Sequence, residues 1–598
     1  MEKARWFHDW LVVWQWKRGA LFGLMLVWMA LMGGDGGEAL AAGAPSSAPL
    51  LRVETGMHLG MIRRIAMAAD EHHILSVGDD KTLRIWSGAD GHLQSTLRVP
   101  LGQLPNEGAL FALAYSPDGR TVAMAGQTGV EWDGAFCIYL IDLQGGVLRR
   151  RITGLPEAVT HLAFSPNGAY LAAVFGEKAG LQVFSIPSGA RVYASDAYQV
   201  PAYWVDFAAD GRLVTSSYDG MVRMYDANFR PRIARQLAKG GQPHGVAFSP
   251  DGSRVAVGFK DRPTVAVLSA EDLTLSYLPD VSGVSDHLWV VAWSRDGRTL
   301  YAGGGHADRG RNLMRWWNQS GESDARGRGD YVDVTASRGT VMQILPLKAG
   351  GVVFAAADPA LGALDGQGFA LFLRDRTIGQ FQGTARRLLV SEKGDAVEFD
   401  MDASGQNRVR FSVSKLLLKP PTMAGMHEPR LQSAAIRVTG WWGGETLQGN
   451  GTAIPLPEKE NPIALALDPK DRFFVLGTSQ HVRLYTHNNA LRWKTVTPAP
   501  VWAVNISGNG HWVVAALGDG TIRWFEVMDG DEGMALFVHR DQKRWAVWTP
   551  GKIFTLSSGA EGLLGWHVNR GLDQLAEFHP ISQGQQSKVQ EYFKKTFQ

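Results

Sequence analysis

The sequence predicts an all-β protein that is built from one repeated unit of short strands. Glycine supplies 70 of the 598 residues, well above the usual share of about 7%, and there are 21 tryptophans. Tight turns and large aromatic anchors are therefore both frequent. A turn of the Ser-Pro-Asp-Gly type also recurs at spacings of 41 to 49 residues, and short apolar runs flank it on both sides.

Each recurring turn is chemically suited to joining two antiparallel strands. Proline fixes φ, Asp or Asn hydrogen-bonds its own backbone, and glycine accepts positive φ. The segments around the first such turn, 111–115 and 121–125, have the composition of strands. The Asp or Asn of the five clearest turns is Asp118, Asn167, Asp210, Asp251 and Asp296.

A second tight turn, followed by a strand that ends in an aromatic residue, completes many of the units. Examples are residues 79–86, 218–226 and 518–525. Here the sequence resembles the WD-repeat family, in which a unit of 40–45 residues forms one four-stranded blade of a β-propeller. The Gly-His pair that opens a well-formed repeat is nearly absent. The resemblance therefore implies an incomplete Asp–His–Ser–Trp hydrogen-bond network and blades that depend more on apolar packing.

The length of the repeat region predicts two rings. Residues 51–572 hold about 12 units, whereas one ring usually has four to eight blades. We expect two tandem WD-repeat-like β-propellers of about 6–7 blades each, the first at 51–350 and the second at 351–572. The pattern is regular to about residue 329, blurs between 330 and 462 and returns at 463, so the boundary is expected between 325 and 380.

The first 45 residues have the three parts of an export signal in the right order. Lys17 and Arg18 precede an uncharged apolar run of 14 residues, and small residues follow at Ala39 and Ala41. Such a run is short for a membrane span and suits the core of a signal peptide. We therefore predict that residues 1–45 are a signal peptide or membrane anchor. The protein would then be exported, periplasmic or anchored to the cytoplasmic membrane.

A closer resemblance covers residues 461–583. Its most distinctive part is the string Gly-Trp-His-Val-Asn-Arg-Gly at 565–571. This stretch resembles the propeller region of bacterial proteins that join WD repeats to a caspase-like (metacaspase-type) protease domain. No Cys/His dyad matches that protease, so the resemblance implies only the recognition half of such a system. A separately encoded caspase-like protease is the partner that it suggests.

Two aromatic features of this region have alternative interpretations. We expect Trp545, Trp548 and Trp566 to pack between blades, with an exposed ligand groove as the alternative. Residues 573–598 are predicted to form a tail with a short helix that carries Val589, Tyr592, Phe593 and Phe597 on one face. This helix would cap the second ring, with docking of a partner as the alternative.

Two features resemble reactive sites only in part. Cys137, the single cysteine, lies in an apolar, β-favouring run, and we predict a buried strand residue rather than a catalytic thiolate. The glycine-rich segment 303–308 lacks the Lys and Ser/Thr of a phosphate-binding loop, and we predict a long loop between strands.

Two features resemble metal sites only in part. His72 and His73 are adjacent, so on a strand their side chains point apart. Residues 400–405 have the opening spacing of a calcium loop, but Phe411 replaces the Glu of the twelfth position. The sequence therefore predicts no catalytic residue, no cofactor-binding residue, no metal ligand and no cofactor.

The charge balance limits the classes of partner. There are 60 basic and 58 acidic side chains, for a formal charge of +2, so nucleic acid is not an expected partner. Membrane contact is expected only through an uncleaved N-terminal segment. We predict a non-catalytic WD-repeat scaffold for protein–protein interactions. The alternatives are a propeller-type hydrolase or lactonase with a metal in the ring channel, and a cytoplasmic scaffold with a misread start.

Overall fold

The computed structural model describes residues 44–102, 106–237, 240–322, 329–383, 385–402, 405, 407–442, 446–582 and 586–597. The predicted leader therefore lies almost entirely outside the described residues. Within them the chain forms antiparallel strands and two short α-helices, which confirms the all-β class. The strand β1 (Leu50–Val53) belongs to the last sheet of the chain.

Residues 62–374 form seven successive sheets. The first four have four strands each: β2 (Ile62–Met67), β3 (His73–Gly78), β4 (Thr82–Ser87), β5 (Leu93–Arg98); β6 (Ala109–Tyr115), β7 (Thr121–Gln127), β8 (Phe136–Asp142), β9 (Val147–Leu155); β10 (Val159–Phe164), β11 (Tyr170–Phe175), β12 (Leu181–Ser185), β13 (Arg191–Ala194); β14 (Ala202–Phe207), β15 (Leu213–Ser217), β16 (Met221–Tyr225), β17 (Pro231–Gln236). The short helix α1 (Val130–Asp133) lies between β7 and β8.

The remaining three sheets repeat this arrangement, and the sixth carries one extra strand. They consist of β18 (Pro243–Phe248), β19 (Arg254–Phe259), β20 (Val265–Ser269), β21 (Leu275–Tyr277); β22 (Val290–Trp293), β23 (Leu300–Gly303), β24 (Ala307–Asp308), β25 (Arg311–Trp317), β26 (Tyr331–Ser337); β27 (Val341–Pro346), β28 (Val352–Ala356), β29 (Leu361–Leu364), β30 (Ala370–Arg374).

The seven sheets close into a ring. The first strand of each sheet packs against that of the next, in the order β2, β6, β10, β14, β18, β22 and β27, and β27 packs against β2. Across this closure the Ile65 N–H donates to Gln343 Oε1 at 2.8 Å. The result is a seven-bladed β-propeller whose first strands surround the central channel.

The last blade of this ring crosses position 350, where the sequence analysis divides the two rings. It ends at Arg374, within the range of 325 to 380 expected for the boundary. The turn between β27 and β28 lacks the Ser-Pro-Asp-Gly pattern of the earlier blades, so the sequence marks this blade more weakly than the others.

Apolar layers between adjacent blades form the core. Where the ring closes, Ile62 and Trp86 of the first blade pack with Val353 and Phe372 of the seventh. Burying one such side chain contributes about 1.5–3 kcal/mol. Because every blade contributes to two layers, the ring depends on all seven.

Five further sheets follow the ring. They are built from β31 (Leu389–Ser391), β32 (Ala396–Asp400), β33 (Arg408–Ser412), β34 (Leu417–Lys419), β35 (Met426–His427); β36 (Val438–Thr439), β37 (Gln448–Gly449), β38 (Thr452–Ala453); β39 (Pro462–Leu467), β40 (Phe473–Thr478), β41 (His481–Thr486), β42 (Leu491–Val496); β43 (Val501–Ile506), β44 (Trp512–Leu517), β45 (Thr521–Glu526), β46 (Glu532–Val538), β47 (Trp545–Trp548), β48 (Phe554–Leu556); and β49 (Leu564–Val568) with β50 (Glu577–Pro580) and β1.

This second half is less regular than the first. Its described residues form five sheets of three to six strands, fewer than the six or seven blades that the sequence predicts. The irregularity is greatest at 426–453, where the strands are two residues long. The repeat is also blurred there in the sequence. The structure returns to four-stranded sheets at β39, where the sequence repeat also becomes regular again.

The N-terminal strand connects the two halves. β1 pairs with β49, with Leu50 opposite His567 and Val53 opposite Leu564. Glu54 follows directly, and its carboxylate forms ion pairs with Arg84 and Arg98 of the first blade. The segment 50–54 therefore holds the last sheet against the first ring.

The C-terminal helix α2 (Gln586–Thr596) covers the six-stranded sheet. Val589 and Phe593 are buried, and the rings of Phe597 and Trp512 are 5.5 Å apart. The Tyr592 hydroxyl donates to the Gly533 carbonyl at 3.1 Å. The helix thus occupies a capping position. Among the described residues, no helix has the length and apolar character that crossing a membrane requires.

Candidate functional site

The first blade contains a complete buried hydrogen-bond network. Trp86 Nε1–H donates to Ser76 Oγ at 2.7 Å, and Ser76 Oγ lies 2.7 Å from His58 Nε2. His58 Nδ1 lies 2.8 Å from Asp80 Oδ1. Burial alone would raise the pKa of Asp80, but His58 and Arg84 hold it well below its usual range. The expectation of an incomplete network is thus wrong for this blade, where Met57-His58 replaces the Gly-His pair.

Other blades fill the same space with different polar groups. In the fourth blade the Tyr198 hydroxyl hydrogen-bonds those of Thr215 at 2.6 Å and Tyr225 at 3.0 Å. Before β39, Glu460 accepts hydrogen bonds from Thr478 Oγ1 at 2.6 Å and Arg483 Nε at 2.7 Å. These substitutions keep the buried polar groups paired, and they explain why the sequence motif is degenerate.

The first strands of the ring share an irregularity at one end of the channel. The strand register shifts between Ile62 and Arg64, between Ala202 and Trp204, and at the corresponding positions of β6, β10, β18 and β27. Such bulges redirect side chains and are frequent next to binding sites. We call this end the ring mouth and define it by Arg63, Phe111, Tyr203, Tyr218, His244, Lys260 and Trp289.

A stack of aromatic rings forms one side of the ring mouth. The Tyr203 ring stacks on Tyr218 at 4.1 Å and on His244 at 5.2 Å. His244 also stacks on Trp289 at 5.0 Å, and the Tyr218 hydroxyl lies 2.9 Å from His244 Nδ1. Burial, with nearby cations, holds the pKa of His244 well below its usual range. The stack is therefore an uncharged, rigid platform at neutral pH.

Cationic side chains border this platform. Arg63 donates two hydrogen bonds to the Asp79 carboxylate, at 2.7 and 3.1 Å, and lies over the Phe111 ring at 5.2 Å. Lys260 Nζ lies 5.7 Å from the Tyr218 ring centre. Tyr, Trp and Arg are the residue types that dominate the binding energy of protein interfaces. The ring mouth has this composition, and Phe111, Tyr203 and Tyr218 are half-buried.

Arg64 crosses the channel one residue further along β2. Its Nη1–H donates to the Arg63 carbonyl at 2.8 Å and its Nη2–H to the Thr160 carbonyl of the third blade at 3.3 Å. Its Cζ atom lies 4.6 Å from the ring centre of Trp204, in the fourth blade. His161 stacks on the same tryptophan at 4.2 Å. A guanidinium thus lies within the channel. The described residues contain no group of three or more His, Cys, Asp or Glu side chains that could hold a metal ion.

Comparison with known proteins gives the same repeat. The family model "WD domain, G-beta repeat" (WD40) matches residues 52–87, 196–226 and 494–526. The chain therefore contains WD40 repeats. The first match includes the whole His58–Ser76–Asp80–Trp86 network.

Two curated relatives are similar to part of the chain. Both are named Protein HIR1 and come from two strains of Cryptococcus neoformans var. neoformans serotype D. Each is 24% identical over 111 residues. The alignment covers 19% of this chain and 12% of each relative, so it defines no shared whole-protein activity.

The other candidate residues of the sequence analysis have structural roles. Cys137 is buried in β8, and burial raises the pKa of its thiol to about 11, so no thiolate forms near neutral pH. His73 Nδ1 lies 2.9 Å from Gln94 Oε1, whereas His72 is exposed. The prediction of a long loop at 303–308 is wrong, because Gly303 ends β23, residues 307–308 form β24, and only 304–306 connect them. A Cβ at Gly304 would lie only 2.5 Å from the His287 carbonyl.

The segment that resembles a calcium loop contains an ion-pair cluster. Asp400 is buried and lies 3.1 Å from Arg387 Nη1 and 3.0 Å from Arg408 Nε. Asp402 accepts a hydrogen bond from the Asn407 amide. Two guanidinium groups thus neutralise the first carboxylate, which contradicts its interpretation as a calcium ligand.

The distinctive string 565–571 is an internal contact surface. Asn569 Oδ1 accepts the Leu101 N–H at 2.9 Å, while its Nδ2–H₂ donates to the carbonyls of Leu101 and Ser46, both at 2.8 Å. Trp545 and Trp548 are buried and Trp566 is half-buried, in agreement with packing rather than an open groove. The string therefore attaches the last sheet to the first ring.

The sequence analysis did not find the ring mouth. A signal was nevertheless present, because polar or aromatic pairs replace the expected apolar alternation early in several first strands. Arg63-Arg64, Thr160-His161 and Tyr203-Trp204 are three examples. Alignment of the units on their Ser-Pro-Asp-Gly turns would have placed these pairs at equivalent positions.

Proposed function

We propose that this protein is a non-catalytic WD-repeat scaffold and that it binds a protein partner at the ring mouth. The observation that carries the proposal is the stacked platform of Tyr203, Tyr218, His244 and Trp289 beside Arg63. Rigid aromatic side chains lose little entropy on binding and offer both apolar area and hydrogen bonds. The near-even overall charge favours a protein over a nucleic acid as the partner.

We extend the proposal to the partner and the compartment. The resemblance of 461–583 supports a separately encoded caspase-like protease as the partner. The order of basic, apolar and small residues in 1–45 supports export or attachment to the cell envelope. Cleavage after Ala41 would leave β1 intact, because that strand begins at Leu50.

Export makes a specific prediction about the mature N-terminus. In an envelope fraction, we expect the intact mass of the protein to correspond to a chain that starts at Ala42. Replacement of Ala39 and Ala41 by arginine should block this cleavage, because signal peptidases require small residues there. A full-length chain in the soluble cytoplasmic fraction would contradict export, and a full-length chain in the membrane fraction would indicate the anchor.

Binding at the ring mouth predicts which variants lose their partner. We expect the double variant Tyr203→Ala/Tyr218→Ala to recover at least about tenfold less of any specific partner than the wild type, since loss of an aromatic anchor typically costs 2 kcal/mol or more. The measurement is quantitative mass spectrometry after crosslinking and affinity capture of the full-length protein.

The matched control for this experiment is Phe369→Ala. Phe369 lies next to the outer strand of the seventh blade and is 72% exposed, so its loss leaves the ring mouth unchanged. Partner recovery should be the same as for the wild type. Loss of the partner in the control, with normal recovery in the double variant, would place the binding surface on the outer edge and contradict the proposal.

A further inference from the structure

The guanidinium of Arg64 is buried in the channel of the first ring without a carboxylate partner. The residue is 5% exposed, and among the described residues no Asp or Glu forms an ion pair with it. Two of its five N–H groups donate to backbone carbonyls. Its Nε–H is buried and has no hydrogen-bond acceptor among the described residues.

This situation is unusual within the same protein. Arg84, also buried, is ion-paired with Glu54, and Arg315 donates two hydrogen bonds to Asp333, both at 2.8 Å. A buried charge is costly unless it is paired. Arg84 and Arg315 follow that rule. Arg376, 3% exposed, also has guanidinium nitrogens without an acceptor among the described residues, but of these four arginines it is Arg64 that crosses the channel.

The groups around Arg64 do not supply the missing negative charge. Arg63 is cationic and already engages Asp79. Burial, and then the charge of Arg64, holds the pKa of His161 well below its usual range, and His244 is likewise uncharged. Trp204 offers the face of its ring, and Gln343 uses its amide oxygen to accept the Ile65 N–H. An anion that reached this point would therefore meet an uncompensated cation in a water-poor site.

We propose that the channel of the first ring is a receptor for a carboxylate, which an Asp or Glu side chain of the bound protein partner inserts past the ring mouth to Arg64. The inference rests on the proposed function and adds the chemistry by which that site selects its partner. A carboxylate matches the planar donor geometry of a guanidinium, and the aromatic platform would contact the residues on either side of the inserted acid.

A small residue in the neighbouring blade lets the Arg64 side chain extend across the channel. In the second blade the position equivalent to Arg64 is Ala112, the residue after the bulge in β6. The Arg64 side chain therefore passes the second blade to reach Thr160 and Trp204. Tyr203 and Tyr218 are only half-buried, so the platform that leads to Arg64 is accessible from solvent.

An array of 12-residue peptides tests the inference directly. The peptides form matched pairs that differ only in one central residue, Glu or Gln, flanked by varied apolar and aromatic residues. Full-length protein is applied to the array, and the best pair is then measured by fluorescence polarisation. We expect the wild type to bind the Glu peptide at least about tenfold more tightly than the Gln peptide.

Two variants assign this preference to the channel. Arg64→Met keeps an unbranched, flexible side chain and removes its charge, so we expect it to bind the Glu and Gln peptides equally. Its melting temperature should be unchanged or higher, because an unpaired buried charge is replaced by an apolar group. Arg298→Met is the control: Arg298 is exposed at the opposite end of the sixth blade, and this variant should keep the preference.

The remaining outcomes distinguish a failure of the carboxylate receptor from a failure of the ring mouth as a binding site. Tight binding of the Glu and Gln peptides alike, lost in Tyr203→Ala/Tyr218→Ala, would overturn the carboxylate receptor and leave the ring mouth as a binding site. A Glu preference that survives in Arg64→Met would also overturn it. Stabilisation of the wild type but not of Arg64→Met by inorganic phosphate, without peptide binding, would reassign the site to a free anion. No binding to any peptide, and no effect of phosphate, would count against both proposals.

Discussion

Replacement of Glu54 by glutamine is expected to destabilise the protein by about 3 kcal/mol. The Glu54 carboxylate lies 2.9 Å from Arg84 Nη1 and also contacts Arg98, and the side chains of these arginines are only 1% and 10% exposed. Glutamine preserves the shape but removes the charge, so two buried cations lose a shared partner. Chemical denaturation followed by far-UV circular dichroism measures the loss.

Two further variants make this prediction specific. Glu561→Gln changes an exposed glutamate shortly before β49, the strand that pairs with β1, and should alter stability by less than about 0.5 kcal/mol. The double variant Glu54→Gln/Arg98→Met should recover part of the loss, because one of the unpaired cations is removed. A single variant as stable as the wild type would show that Asp80, 3.7 Å from Arg84, compensates on its own.

The location of Glu54 also gives the N-terminal segment a structural purpose. β1 completes the sheet of β49 and β50, and Asn569 of that region holds the backbone of Leu101. The N-terminal segment and the sheet of β49 and β50 thus meet beside the first blade. Closure by the two ends of a chain is a non-local contact that stabilises the whole domain. Export cleavage after Ala41 is compatible with this arrangement, whereas cleavage beyond Leu50 would remove the strand.

The sequence predicts the fold through local chemistry that repeats. Five turns with Asp or Asn and glycine mark the hairpins between the first two strands of blades two to six, and all of these hairpins are present. The seventh blade and the sheets between 389 and 453 are marked more weakly in the sequence, because their turns use other residues and their strands are two to six residues long. Pattern alone cannot distinguish such short strands from loops.

The candidate site is harder to predict from the sequence than the fold. Tyr203, His244 and Trp289 are more than 40 residues apart in sequence, and only closure of the ring brings them into one stack. The complete network of the first blade was also missed, because His58 follows Met57 rather than glycine. The aromatic stack is a spatial relation between blades, which no single repeat contains. The network lies within one repeat, and it was missed only because of the residue before His58.

Replacement of Trp524 by alanine is expected to destabilise the second half of the chain by about 4 kcal/mol. The indole is fully buried, and its Nε1–H donates to the Gly394 carbonyl at 2.8 Å. It lies in the apolar layer that joins the sheet of β31–β35 to the six-stranded sheet. Alanine would therefore leave a large cavity and an unpaired carbonyl between the two sheets.

Hydrogen exchange measured by mass spectrometry gives this prediction spatial resolution. Protection should fall in 389–412 and 512–538 and remain unchanged in the ring at 62–374, because stability is local when modules share few contacts. Trp442→Ala removes the same side chain from a position that is 39% exposed and should leave both regions protected. An equal loss of protection throughout the chain would mean that the ring and the later sheets unfold as one unit. The segment around Glu54 would then couple them more strongly than its few ion pairs imply.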